Sequence, residues 1–174
     1  NIDNNKVILY AGALACANGI KYVLDLARHC KEFDPSIVFI LMGAGNERES
    51  LIQQSMEDGM LNKNIFFPDP VPKNQLPFLY KLSKAGSSFF INNEVLWDNS
   101  ANKFFDTLAA GKPVIINYKG WQAELIEKQN IGYILPAELT IPDIHNFVKY
   151  INDEDLLKLQ GKNALKVARR DFSL

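Results

Sequence analysis

The chain has 174 residues, 47% hydrophobic and 22% charged, with a formal net charge of −1. That is enough for one domain with a sizeable core and too little for two domains of ordinary size. The near-neutral balance excludes duplex DNA or RNA binding driven by phosphate neutralisation, and no apolar run approaches the roughly 20 residues that span a bilayer.

The chain opens Asn1-Ile2-Asp3-Asn4-Asn5 without an apolar signal region, so a secreted protein is not expected. Residues 7–10 (Val-Ile-Leu-Tyr) read as a first strand, followed by a turn of small residues over 12–19. Ile20, Val23, Leu24, Leu26 and Ala27 then form a helical stripe that Asp34-Pro35 stops. A second strand over 37–41 leads into Gly43-Ala44-Gly45 and a helix marked by Leu51, Ile52, Ser55 and Met56, with Gly59 as its C-terminal glycine. After a third strand at 65–67, Pro68, Pro70, Pro72 and Pro77 predict a stiff, extended connection. Leu76, Leu79 and Tyr80 mark the next helix, residues 88–91 a fourth strand, and Phe104, Phe105, Leu108 and Ala109 a helix with Ser100 as N-cap. Strands at 114–116 and 133–135 follow, and residues 153–171 read as one amphipathic helix with Leu156, Leu157, Leu159, Ala164, Leu165, Val167 and Ala168 inward. The strands are nearly all apolar rather than alternating, as strands buried on both faces should be. Six of them separated by helices predict one doubly wound α/β domain over 1–174, a Rossmann-like six-stranded parallel sheet with helices on both faces.

Cys16 and Cys30 support neither a disulfide framework nor a zinc site, and His29 and His145 lie on predicted helices, where surface residues are expected rather than catalysts or ligands. No metal site is expected.

Ligands of such a sheet bind beyond the carboxyl ends of its strands, and three loops there carry candidate chemistry. Gly12-Ala13-Leu14-Ala15-Cys16-Ala17-Asn18-Gly19 allows close backbone approach and offers the free N–H groups of the next helix. It has no Gly-Lys-Ser/Thr and no G-x-G-x-x-G, so a tight turn explains it equally well. Gly43-Ala44-Gly45 has Arg48 where a dinucleotide fingerprint needs its third glycine, and a plain turn is the better reading. The third loop leads from residue 92 into the helix carrying Asn102, Lys103 and Asp106. That i, i+1, i+4 spacing puts Asp106 on one face with both others. An ionised Asp106 can accept hydrogen bonds from both hydroxyls of a ribose diol, and Lys103 with a bare helix N-terminus suits a diphosphate. Helix capping by Asp98 and Ser100, with Lys103 and Asp106 in solvent, would account for the same residues.

The segment from Asn102 to Val114, with its Ala110-Gly111-Lys112-Pro113-Val114 close, resembles the retaining glycosyltransferases of family 4 (group 1 type), in the C-terminal domain of their GT-B architecture. It is especially similar to the branch with Asn-Lys before the second acid, several members of which make bacterial surface polysaccharides. The likeness runs along the chain through Val7 to Gly12, Leu41 to Gly45, Asn64 to Phe67, Val71-Pro72-Lys73, Glu124-Leu125-Ile126, Gly132 to Pro136, and Ala168 to Ser173. By this resemblance Asp106 stands at the acid that binds the ribose hydroxyls. Asp98, eight residues earlier, stands at the catalytic acid beside the donor sugar, with Glu94 as its rival. Backbone N–H groups of Asn99, Ser100, Ala101, Asn102 and Lys103 would hold diphosphate and sugar, with Gly12 lining the phosphate. Both acids are Asp where Glu is usual. Ala13 and Asn18 occupy positions at which many family members carry Arg and Lys aimed at the diphosphate.

The resemblance implies a nucleoside-diphosphate sugar as partner, UDP by family frequency, with no cofactor or metal. It implies transfer with retention to a saccharide or lipid-linked acceptor, in a cytoplasmic protein working at the inner face of the membrane. The N-terminal acceptor domain and the final cross-over helix are expected outside residues 1–174, so this fragment alone should be inactive. A sugar-nucleotide epimerase of the same architecture and a degenerate binding or scaffold domain are the alternatives, the latter motivated by Ala13 and Asn18.

Overall fold

The computed structural model describes residues 5–172, so residues 1–4, Ser173 and Leu174 lie outside the described residues. Six strands, β1 (Lys6–Ala11), β2 (Ile37–Met42), β3 (Ile65–Phe66), β4 (Ala85–Ser88), β5 (Val114–Ile116) and β6 (Gly132–Ile134), pair in the order β3-β2-β1-β4-β5-β6. Every pairing is parallel. The helices are α1 (Ile20–Phe33), α2 (Arg48–Glu57), α3 (Leu76–Leu82), α4 (Asn102–Ala109), α5 (Trp121–Gln129), α6 (Ile141–Asn152) and α7 (Glu154–Asp171). This is the doubly wound α/β fold that the pattern predicts.

Continuous apolar strands are required because neighbouring residues enter opposite cores. Ile115 joins Ile8, Tyr10 and Phe39 under α1 and α6, while Val114 and Ile116 join Phe104, Leu108 and Ile126 under α4, α5 and α7. Burial of side chains of this size stabilises the fold by ~1.5–3 kcal/mol each.

Two elements differ from the sequence reading. The fourth strand occupies 85–88, not 88–91. Its small residues admit α4 closely: a Cβ on Gly86 would lie 2.2 Å from Thr107 Oγ1. The more hydrophobic Phe89 and Phe90 follow the strand as buried loop residues. Gly86→Ala is expected to lower stability by roughly 1–3 kcal/mol, read as a lower melting temperature that Thr107→Ala partly restores. In α7, Leu159 is exposed while Gln160 is buried, donating from Nε2 to Asn130 Oδ1 and Gly132 O, each at 2.9 Å, and accepting from the Tyr150 hydroxyl. A 3.6-residue stripe through Leu157, Gln160, Gly161, Ala164 and Ala168 selects position rather than polarity.

The end of α1 is tied to β1 and α6 by Asp34, which accepts from Lys6 Nζ at 2.7 Å, Ser36 and Asn152. Burial opposes its charge, but these hydrogen bonds outweigh burial and hold its carboxyl well below the usual range. A depressed carboxyl pKa contributes stability above its unfolded value, about 4, that is lost as pH falls. Lys6→Met should therefore destabilise the chain in urea titrations at pH 7, and most of that loss should persist at about pH 3, because the folded carboxyl stays ionised well below the usual range.

The sheet reverses its order of construction between β1 and β4, the place where ligands of open α/β sheets bind.

Candidate functional site

Beyond the carboxyl end of β1 the chain makes a 3-10 turn (Cys16–Asn18) and passes through Gly19, left-handed at φ 58°, into α1. A Cβ on Gly19 would meet the Phe90 carbonyl carbon at 2.7 Å, so this turn abuts the loop after β4. The Ile91 N–H donates to Ala17 O at 3.1 Å across the same seam. Gly43 and Gly45 are explained here without a ligand. Side chains at those positions would collide with Gly12 O at 1.8 Å and Leu14 O at 2.1 Å, and the two loops are joined by Leu14 N–H to Ala44 O and Glu47 N–H to Leu14 O. Arg48 reaches the loop after β3, donating to Phe67 O and Asp69.

The loop from β4 to α4 is pinned from several directions. Asn117, just after β5, accepts from the Phe90 N–H at 3.0 Å and donates to the Phe90 carbonyl at 2.9 Å. Trp121 and Gln122 of α5 donate to Asn99 O at 3.2 and 3.3 Å. The Asn99 side chain accepts from the Ala101 N–H at 3.0 Å, which makes Ala101 rather than Ser100 the N-cap of α4. Ser100 is displaced from that role because the Asn99 turn closes one residue later than the predicted boundary. The N–H of Asn99 donates weakly to Leu96 O, at 3.3 Å, and that of Ala101 is taken. Those of Ser100, Asn102 and Lys103 have no acceptor among the described residues. They form a small set of donors at the positive end of α4.

Lys103 does not stand in solvent. It is 7% exposed, its stem runs along Gly12, and its ammonium donates to Asn18 Oδ1 at 2.8 Å. The Phe90 and Tyr10 rings lie 4.7 and 5.3 Å from Nζ, and no carboxylate among the described residues pairs with it. Burial lowers its pKa to about 8. A buried ammonium held by one amide oxygen and two ring faces is an incompletely compensated charge. Chemically, such a group can receive an anion, as can the open N–H groups at the start of the same helix.

Asp106 is half-buried one turn further along α4, and its carboxylate has no hydrogen-bond partner among the described residues. It lines a cleft of about 190 Å³ with Lys73, Leu76, Pro77 and Tyr80. The proline-rich connection after β3 and the acid of α4 are thereby brought together. Lys103 and Asp106 thus reach different surroundings. Asp98 is exposed at the end of a 3-10 turn (Glu94–Leu96) and its following residue. Glu94 lines a separate cleft of about 540 Å³ with Trp97, Asn117, Lys119 and Pro136. Trp97 sits in that wall, and Trp121 stacks on Phe105; both tryptophans are partly buried against the core under α4, α5 and α7. Among the described residues no group of His, Cys, Asp and Glu could hold a metal ion, and no helix is long and apolar enough to cross a membrane.

Residues 1–167 match the family described as Glycosyl transferases group 1. The chain belongs to that family. Spore coat protein SA of Bacillus subtilis (strain 168) is 24% identical over 139 residues, 77% of this chain and 36% of that protein. The crystal structure of Anabaena Alr3699/HepE in complex with UDP and glucose superposes with a TM-score of 0.80 at 21% identity, covering 98% of this chain and 45% of that one. The C-terminal domain of LpcC, a glycosyl transferase group 1 family protein of Francisella tularensis, superposes with a TM-score of 0.77 at 16% identity, over 96% of this chain and 86% of that one. The chain therefore has a GT-B glycosyltransferase domain fold, and it spans about two fifths of the length of the curated relatives it matches.

For this glycosyltransferase domain, sequence reasoning missed Asn117 as the clamp of the β4–α4 loop and Asn18 as the partner of Lys103. No motif carries either signal, since each amide acts on a segment remote in sequence. It also left open Lys112 of the Gly-Lys-Pro segment, which is structural: its ammonium donates to Ser83 O at 2.6 Å, at the C-terminal end of α3.

Proposed function

We propose that residues 1–174 are the nucleotide-sugar-binding domain of a retaining glycosyltransferase. In this reading the donor lies across the β1/β4 switch point. The base packs on the 71–77 connection, and Asp106 accepts from the ribose hydroxyls. The diphosphate meets Lys103, Gly12 and the N–H groups of Ser100, Asn102 and Lys103. The sugar extends toward Asp98, the carboxylate beside the reacting carbon, with Glu94 as the competing candidate for that place. The observation that carries the reading is the buried Lys103 ammonium, which meets an amide oxygen and no carboxylate among the described residues, on the helix whose first N–H groups are open and one turn before Asp106. The missing cations at Ala13 and Asn18 then do not imply a scaffold, because Lys103 supplies the charge.

UDP is the proposed nucleotide, supported by the Anabaena complex that holds UDP and glucose on this fold. The full-length protein would carry an acceptor-binding domain before residue 1 and a closing helix after residue 174. It would transfer the sugar to a saccharide or lipid-linked acceptor in surface polysaccharide synthesis, at the cytoplasmic face of the membrane. Catalysis by differential transition-state binding needs both walls of such a cleft. Labelled nucleotide sugars incubated with acceptors should give product with retained anomeric configuration from the full-length protein and none from residues 1–174. Turnover by residues 1–174 alone, or inversion by the full-length protein, contradicts this reading.

A further inference from the structure

We propose that Asn18 is a positioning residue of the donor site, whose carboxamide oxygen fixes the Lys103 ammonium at the phosphate position. The inference rests on the reading of Lys103 as the diphosphate-binding cation. Asn18 belongs to the first loop and Lys103 to the fourth, 85 residues apart, yet they meet at 2.8 Å. Position 18 is itself held rigidly. Its N–H donates to Ala15 O, the Ala17 carbonyl before it accepts from Ile91, and Gly19 after it is locked in left-handed geometry against Phe90. The carboxamide is therefore a fixed point, and the long lysine side chain is the adaptable partner.

A neutral oxygen suits this role better than a carboxylate. It directs the ammonium while leaving its charge for a ligand, whereas an acid would neutralise it. The other titratable groups packed around Lys103 do not compensate it. Tyr10 of β1 is kept protonated by burial, the 12–19 turn contributes only the exposed Cys16 thiol, the Phe90 segment contributes none, and Asp106 of α4 lines the separate cleft. Because burial holds the Lys103 pKa at about 8, diphosphate affinity should fall as pH rises through that value.

The test is calorimetric titration of UDP and uridine from pH 7 to 9.5 into the parent, Asn18→Ala and Asn18→Asp, with melting temperatures as the folding control. In the parent, UDP affinity declines with an inflection near pH 8. Asn18→Ala removes an acceptor from the ammonium and moves the inflection down. Asn18→Asp adds an ion pair and moves it up, while UDP affinity at pH 7 falls by about tenfold and uridine affinity by less than about twofold. These opposite shifts are not expected of a merely structural asparagine. If the parent binds UDP and both variants keep its affinity and inflection, the positioning role is overturned and the donor reading stands. If the parent binds no diphosphate, the donor reading itself fails and takes this inference with it.

Discussion

Lys103→Met is expected to raise the melting temperature of the chain while removing its preference for a nucleoside diphosphate over the nucleoside. The side chain is buried and its pKa is lowered to about 8, so burial penalises the ammonium relative to the unfolded chain while leaving it the main form at pH 7. A lysine whose folded pKa lies below its unfolded value of about 10.4 costs stability at pH 7, and the cost disappears as pH rises above that value. Methionine fills the same slot between Gly12, Tyr10 and Phe90 without a charge to desolvate. It forfeits the hydrogen bond to Asn18, so the net gain should be roughly 1–2 kcal/mol at pH 7, shrinking toward pH 10. UDP affinity should fall by about tenfold or more with uridine little changed, and the difference should narrow as salt screens the charge in the parent. A stabilising substitution that abolishes binding marks a residue kept for function at a cost to the fold. A lower melting temperature with unchanged UDP affinity would make Lys103 a structural residue.

Asp106→Asn should behave differently in both respects. Asparagine keeps the size but replaces a charged acceptor of two hydroxyls with a neutral amide, at a loss of roughly 1.5–3 kcal/mol per charge-assisted bond. Ribose is common to UDP and uridine, so both should weaken together, unlike the diphosphate-specific loss at Lys103. The melting temperature should hardly move, because the Asp106 carboxylate has no hydrogen-bond partner among the described residues. Calorimetry of both ligands with the parent and Asp106→Asn separates the two roles. Unchanged affinity for both would remove Asp106 from the ribose.

The contrast between these residues shows what the sequence makes legible. The place of Asp106 on α4 was readable because it depends on position along one helix, and the i, i+4 spacing from Asn102 states that position. The environment of Lys103 was not readable, since it is made by Asn18, Tyr10 and Phe90, which reach it through the parallel crossovers of the sheet. Periodicity located the strands whose residues are large, such as β1, β2 and β5. It slid past β4, where Ala85 and Gly86 are small because Thr107 lies against them, and settled on Phe89 and Phe90 instead. The glycines of Gly43-Ala44-Gly45 suggested a ligand only faintly, and the contact they permit is with the backbone of the neighbouring loop. The Ser100 cap failed by one residue: the Asn99 side chain closes a local turn on the Ala101 N–H, and the helix starts after Ala101 with no side-chain cap.

The most direct measurement of the central claim is a titration of UDP and uridine into residues 1–174 at pH 7 in low salt. The donor-domain account expects saturable binding, with UDP at least about tenfold tighter than uridine through the charge-assisted contacts of Lys103 and the α4 N–H groups. Equal affinity for the two ligands, or no heat from either UDP or GDP, would contradict it.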